Sequence, residues 1–145
     1  MLNASDMYFW SVSNTIPLIT TVTAQKTFKT QGFGLLVKKV VGNIYNADGA
    51  VLETEKVRDR ITTQMYWEDT GANLCSEPID FFNLIDTWNQ YAAVQDVILQ
   101  TDVNVTVTFA VDTSTALFVA GDYPLRLQLT FFGTKVLKNG QSGSL

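Results

Sequence analysis

The chain has 145 residues, a formal net charge of −4, no histidine and one cysteine, with 17% charged and 46% hydrophobic residues. These values exclude a disulfide scaffold, most imidazole-based catalytic or zinc sites, and a basic surface for a phosphate backbone. The apolar content is too high and the charge too low for disorder, since an average soluble domain carries about 25% charged residues and disordered chains carry more.

Read from the start, Met1–Trp10 has no basic residue, and Asn3, Ser5 and Asp6 interrupt its apolar positions, so no secretory signal is expected. No apolar run is long enough to span a membrane, and synthesis in a cytoplasm is the expectation. Tyr8, Phe9 and Trp10 form an aromatic cluster here. Pro17–Thr27 is rich in Thr, Ile and Val and reads as a strand. Phe33–Tyr45 is apolar and β-branched, with Gly32 and Gly34 at its start. That glycine pair lacks the third glycine and the helix of a dinucleotide loop, so it reads as a bulge or a strand start. Asn46–Gly49 is a turn signal, because Asp-Gly tolerates positive φ. The return of Ala50–Lys56 predicts a hairpin over Val37–Lys56, with Lys38 or Lys39 facing Glu53 or Glu55.

Arg60–Glu68 reads as another strand, followed by a loop over Asp69–Ser76. Asp69–Asn73 surrounds a glycine with oxygen-bearing side chains but lacks the later bidentate Glu of a calcium loop, so a plain turn is expected. One helix is predicted near residues 77–93. Ser76 can cap it, Glu77 and Pro78 suit its first turn, and Phe81, Leu84, Ile85, Trp88 and Ala92 form one apolar stripe. Asp80, Asn83, Asp86, Asn89 and Gln90 are assigned to the opposite face. Val97–Leu99 is a short strand. Asp102–Val111 and Pro124–Phe132 then alternate strictly between apolar and polar residues, which marks strands with one buried face. With the apolar run Ala116–Ala120 between them, they read as an antiparallel meander. Thr134–Leu137 extends the last strand, and Lys138–Leu145 is a polar tail.

The total is seven to nine strands and one helix in a single domain over residues 1–145. The expected fold is mainly β: an antiparallel β-sandwich or jelly roll, or a small barrel.

Charge is uneven along the chain. Lys26–Arg60 holds most of the cations, whereas no Lys or Arg lies between Arg60 and Arg126, where Glu68, Asp69, Glu77, Asp80, Asp86, Asp96, Asp102, Asp112 and Asp122 fall. Two arrangements follow: opposite-sign faces that dock copies head to tail, or a fold that mixes the segments on one surface.

No catalytic, cofactor-binding or metal-binding residues are assigned. Cys75 has no imidazole to activate it and reads as a small packed residue. A glycosidase would need two opposed carboxylates, and Glu68, Asp69, Glu77 and Asp80 are the best placed. The candidate partner contacts are Trp10, Tyr66 and Trp67. Tyr66 and Trp67 are adjacent on a strand, so one of them points outward.

The expected function is that of a structural subunit in a self-assembling particle, specifically a bacteriophage virion protein of capsid, vertex, decoration or tail. It would contact copies of itself and other virion proteins, bind no nucleic acid directly, and assemble in the host cytoplasm. A carbohydrate- or receptor-binding β-sandwich with a glycan ligand is the alternative.

Overall fold

A computed structural model describes residues 7–17, 23–52, 57–58, 60–112 and 120–136. Among these, nine strands and one α-helix are formed: β1 Met7–Ile16, β2 Thr23–Phe28, β3 Gly34–Tyr45, β4 Ile61–Trp67, β5 Ala72–Asn73, β6 Ile79–Asp80, α1 Phe81–Ala92, β7 Val97–Leu99, β8 Val105–Val111 and β9 Leu125–Val136. They build two antiparallel sheets. Sheet A runs β1-β9-β3-β7, and sheet B runs β2-β8-β4-β5, with β6 also on β4. The fold is therefore mainly β: two antiparallel sheets, one curled into a half-barrel, an arrangement that fits a β-sandwich or a small barrel.

The core follows from period-two alternation. On β9, Leu125, Leu127, Leu129 and Phe131 are buried, and on β8, Val105, Val107, Phe109 and Val111 are buried. Each contributes roughly 1.5–3 kcal/mol by leaving water. These two strands do not form the expected meander. β8 lies between β2 and β4 in one sheet, and β9 lies between β1 and β3 in the other. Alternation fixes which face of a strand is buried but not its neighbour, and two strands of equal apolar strength each took the centre of a separate sheet. The Ala116–Ala120 run lies outside the described residues except for Ala120, which begins a 3-10 turn over Ala120–Asp122.

The helix begins later than predicted. Ile79 and Asp80 pair with Thr63 and Thr62 of β4, which holds them extended, and the Asp80 carboxylate accepts the Phe82 and Asn83 amides at 3.1 and 3.2 Å. Asp80 is thus the buried N-cap, not Ser76, and it leaves the exposed face to which its spacing assigned it. The predicted apolar stripe is the buried one. Asn89 is also turned inward: its side chain accepts from Val40 N at 2.7 Å and donates to Val40 O at 2.9 Å. β7 pairs only with Leu35–Val37, so Asn89 takes the place of a strand on the exposed edge of β3. The helix comes this close because Gly42 has no side chain; a Cβ there would lie 2.5 Å from Ile85 Cδ1 and 2.7 Å from Phe81 Cζ.

The Asn46–Gly49 turn forms as expected. Gly49 has φ 80° and the Asn46 side chain accepts from Asp48 N and Ala50 N. In the described part of the returning strand, Tyr45 and Val51 form a bridge and Leu52 N bonds Ile44 O at 2.8 Å. Glu53, Glu55 and Lys56 lie outside the described residues, and Lys38 instead meets Asp96 at 3.5 Å. A β-bulge between Val37 and Lys39 places Gly133 against the β3 backbone. β9 continues to Val136, as predicted, and β1 adds a strand where only aromatic clustering was read.

Two substitutions test this packing. Gly133→Ala would set a Cβ 1.9 Å from Leu36 O, so the backbone must shift, and a loss of about 3 kcal/mol is expected in urea unfolding. Asn89→Ala leaves the amide and carbonyl of buried Val40 without these partners and should cost about 2–4 kcal/mol in the same measurement.

Candidate functional site

The outward residues of each sheet follow from the register. On sheet B they form three rows across β2, β8 and β4: Thr23, Ala110 and Thr62; Gln25, Thr108 and Gln64; Thr27, Thr106 and Tyr66. None is charged. Asn73 of β5 continues the third row beside Tyr66. Hydroxyls pair within the face, with Thr27 Oγ1 2.8 Å from Thr106 Oγ1. β propensity accounts for threonine on a sheet surface but not for the absence of charge, which solvated sheet faces usually carry.

Tyr66 and Trp67 separate as predicted. Tyr66 stands on this face with 39% of its surface exposed, while Trp67 packs against the core. Trp10 also turns inward, 6.2 Å from the ring of Phe28 and 6.2 Å from Tyr8. Of the three candidate contact residues, the structure therefore brings only Tyr66 to the surface of a sheet face.

The outer face of sheet A is divided. Toward its Tyr45 end the rows are polar: Ser13, Gln128 and Asn43, then Thr15, Arg126 and Tyr45, with the Arg126 guanidinium 4.3 Å above the Tyr45 ring. Toward the Gly34 end the face is apolar. Met7 and Phe9 are 55% and 57% exposed, and the Phe9 ring lies 4.7 Å from that of Phe132. Phe9, rather than the expected Trp10, is the exposed aromatic of β1. The phase of β1, with Val12 and Ile16 inward, is the signal that would have exchanged them.

The charged segments are mixed by the fold. At the end carrying Lys29 and Lys135, Glu68 N bonds Asn104 O and Asp102 N bonds Thr30 O, so acids and lysines share that end. At the other, Asp112 N bonds Arg60 O and Ala47 N bonds Asp122 O. Among the described residues both signs occur at each end, so these contacts do not sort into opposite-sign faces.

Of the carboxylates flanking the 69–76 loop, Glu68 and Asp80 lie far apart. Asp80 pairs with Thr62 near the start of β4 and Glu68 follows its end, a separation of about 20 Å at a strand's rise per residue. Glu68 accepts the Asn104 amide at 3.1 Å. Among the described residues no three or more Asp, Glu or Cys side chains gather as a metal set. Asp69–Asn73 is a tight turn into β5, with Gly71 at φ 69° and its amide on Trp67 O at 2.9 Å.

Leu74, Cys75, Ile79, Leu84, Trp88 and Tyr91 line a small apolar cleft of about 120 Å3 beside α1. The Gln64 side chain clamps the Cys75 backbone through both its N–H and its C=O. Comparison with family models, curated proteins and solved structures finds no match.

Burial raises the Cys75 thiol above its ordinary value. Less thiolate is then present near neutral pH, so alkylation by iodoacetamide should be slower than for a free cysteine at pH 7 and should rise with pH into the alkaline range. A rate equal to that of a small-molecule thiol at pH 7 would contradict the packed placement.

Proposed function

We propose that this protein is a non-catalytic structural subunit that acts by packing against copies of itself and other proteins of a particle. The reading is carried by the nine uncharged outward residues of β2, β8 and β4 at the centre of sheet B, which Asp80 of β6, Arg60 with Asp112, and Glu68 border. Depletion of charge in favour of uncharged polar and aromatic residues is what the centre of a protein–protein contact requires, because every buried charge must be paired or pay a desolvation penalty. The face spans three strands mounted on a buried core, so it can dock without rearranging.

The particle we propose is a bacteriophage virion, with this chain as a capsid, vertex, decoration or tail component assembled in the host cytoplasm. A durable two-sheet sandwich, no histidine, low charge and abundant uncharged polar residues support that assignment. Among the described residues no helix is long and apolar enough to cross a membrane.

One observation favours a second reading. Tyr66 is exposed beside Thr106 and Asn73, and an aromatic ring among amides and hydroxyls suits the stacking and hydrogen bonding of a sugar. Loss of glycan-array binding on Tyr66→Ala, in a protein that stays monomeric, would select this reading.

The test of the first reading is assembly of the wild-type protein against Thr108→Lys, followed by light scattering and negative-stain microscopy. Thr108 is outward on the central strand, so the variant should fold with an unchanged unfolding midpoint. It should need roughly 10- to 100-fold more protein to assemble, as expected for an unpaired charge in a contact. Equal assembly of both proteins would remove this face from the contact, and a wild type that never exceeds a monomer would overturn the reading.

A further inference from the structure

The sheet edges are treated unequally. β7, at one edge of sheet A, is three residues long, and beyond it the Asn89 side chain occupies Val40 of β3. On the β4 side of sheet B, β5 and β6 are two residues each, and the Gln64 side chain bonds Met65 N, Cys75 N and Cys75 O. β2, at the other edge of sheet B, carries Lys26 opposite buried Val107, on its inner side, and keeps it exposed. Short edge strands and inward-pointing charges are means by which proteins stop a sheet edge from adding another strand.

β1, the remaining edge, has neither device. It is ten residues long, MYFWSVSNTI, without charge or proline, and pairs in unbroken register with β9. Thr15 N bonds the Asn14 side chain at 2.8 Å, off the β9 ladder. Backbone polar groups alternate between the two sides of a strand, so the N–H and C=O groups of Met7, Phe9, Ser11 and Ser13 lie on the outer edge with it. Among the described residues no strand pairs with that edge. Asn14 Nδ2, in the same strand, is buried without an acceptor.

The geometry points to a second copy of this chain as the occupant, joined β1 to β1 across a two-fold axis. A row of bare N–H and C=O groups is matched by another extended backbone. The devices on β2, β5, β6 and β7 act first against copies of the same chain, because every copy presents the same edges at the same concentration. β1 is left open to those copies, and β1 is the edge a copy has free to offer. Opposed residues of an antiparallel pair share a face, so the axis passes through Ser11 or Val12. Either choice sets Trp10, half-buried at this edge, beside the partner's Val12 or the partner's Asn14 on the inner side. No like charges meet, because the strand has none. The pairing uses up the edge on both copies and closes at a dimer. The inference deepens the proposed structural role and rests on it for growth beyond that dimer, through sheet B.

The experiment separates the two contacts. Thr108→Lys blocks growth through sheet B and leaves β1 intact. Light scattering of that variant should give twice the chain mass of 16.1 kDa, with the Phe9, Ser11 and Ser13 amides slowed in hydrogen exchange as the dimer forms. Adding Ser13→Pro removes one outer N–H and puts a ring in the partner's path without taking a bond from β9. It should return the mass to 16.1 kDa with unchanged circular dichroism and freely exchanging Phe9 and Ser11 amides. A folded Ser13→Pro protein that stays dimeric overturns the edge contact and leaves the sheet B contact standing. A Thr108→Lys protein that is a monomer, from a wild type that assembles, does the same, including one whose three amides are slow because its own chain covers them. If Ser13→Pro does not fold, exchange in the Thr108→Lys dimer decides: slow amides support the edge contact and fast ones overturn it. A wild type that never exceeds a monomer overturns both contacts.

Discussion

The inward side chains of β9, Leu125, Leu127, Leu129 and Phe131, are fully buried while the strand bonds to β1 on one side and β3 on the other. β8 does the same in sheet B between β2 and β4. The rest of the sandwich depends on this constraint: two central strands, each with one side in the core and both edges occupied. A one-residue slip in either would turn its whole apolar set to solvent, so the register is held firmly. Because those registers are fixed, the opposite sides of the same strands are fixed too. Thr106, Thr108 and Ala110 share one row system with their neighbours, and Phe132 meets Phe9, for the same reason that Phe109 and Phe131 are buried.

The edges are managed by different means. β7 covers three residues of β3, and beyond them the Asn89 side chain and the Leu52 amide, which bonds Ile44 O at 2.8 Å, take over. The helix is therefore more than a plug between the sheets. Phe81, Leu84, Ile85 and Trp88 fill the core, Gly42 allows the approach, and Asn89 completes the strand it lies against. Residues with local jobs of this kind are drawn away from solvent despite their polarity, which is how Asp80 and Asn89 come to leave the outer face of the helix.

What was legible in the sequence was whatever has a short period. The alternation of β8 and β9, the stripe of α1, the Asn46–Gly49 turn and the opposite facing of Tyr66 and Trp67 are all local patterns, and all are present in the structure. Sheet partners were not legible. Every long strand pairs with one distant in sequence, such as Met7 with Thr134, and alternation carries no label for the neighbour. The helix start was misplaced because Ser76 and Asp80 are equally good caps, and only pairing with β4 decides between them. The uncharged rows of sheet B were hidden for the same reason: Gln25, Thr108 and Gln64 become one row only when three separate segments come together. Phe9 was overlooked because one residue of phase separates it from Trp10.

The structural account stands on the outer face of sheet B being a contact rather than a solvated surface. The most direct measurement is the solvent accessibility of its threonine methyl groups, read by NMR with a soluble paramagnetic probe as the protein is concentrated. The account predicts that Thr62, Thr106 and Thr108 lose accessibility together while Thr15, on the polar part of sheet A, keeps its own. Unchanged accessibility of all four through the full concentration range would contradict it.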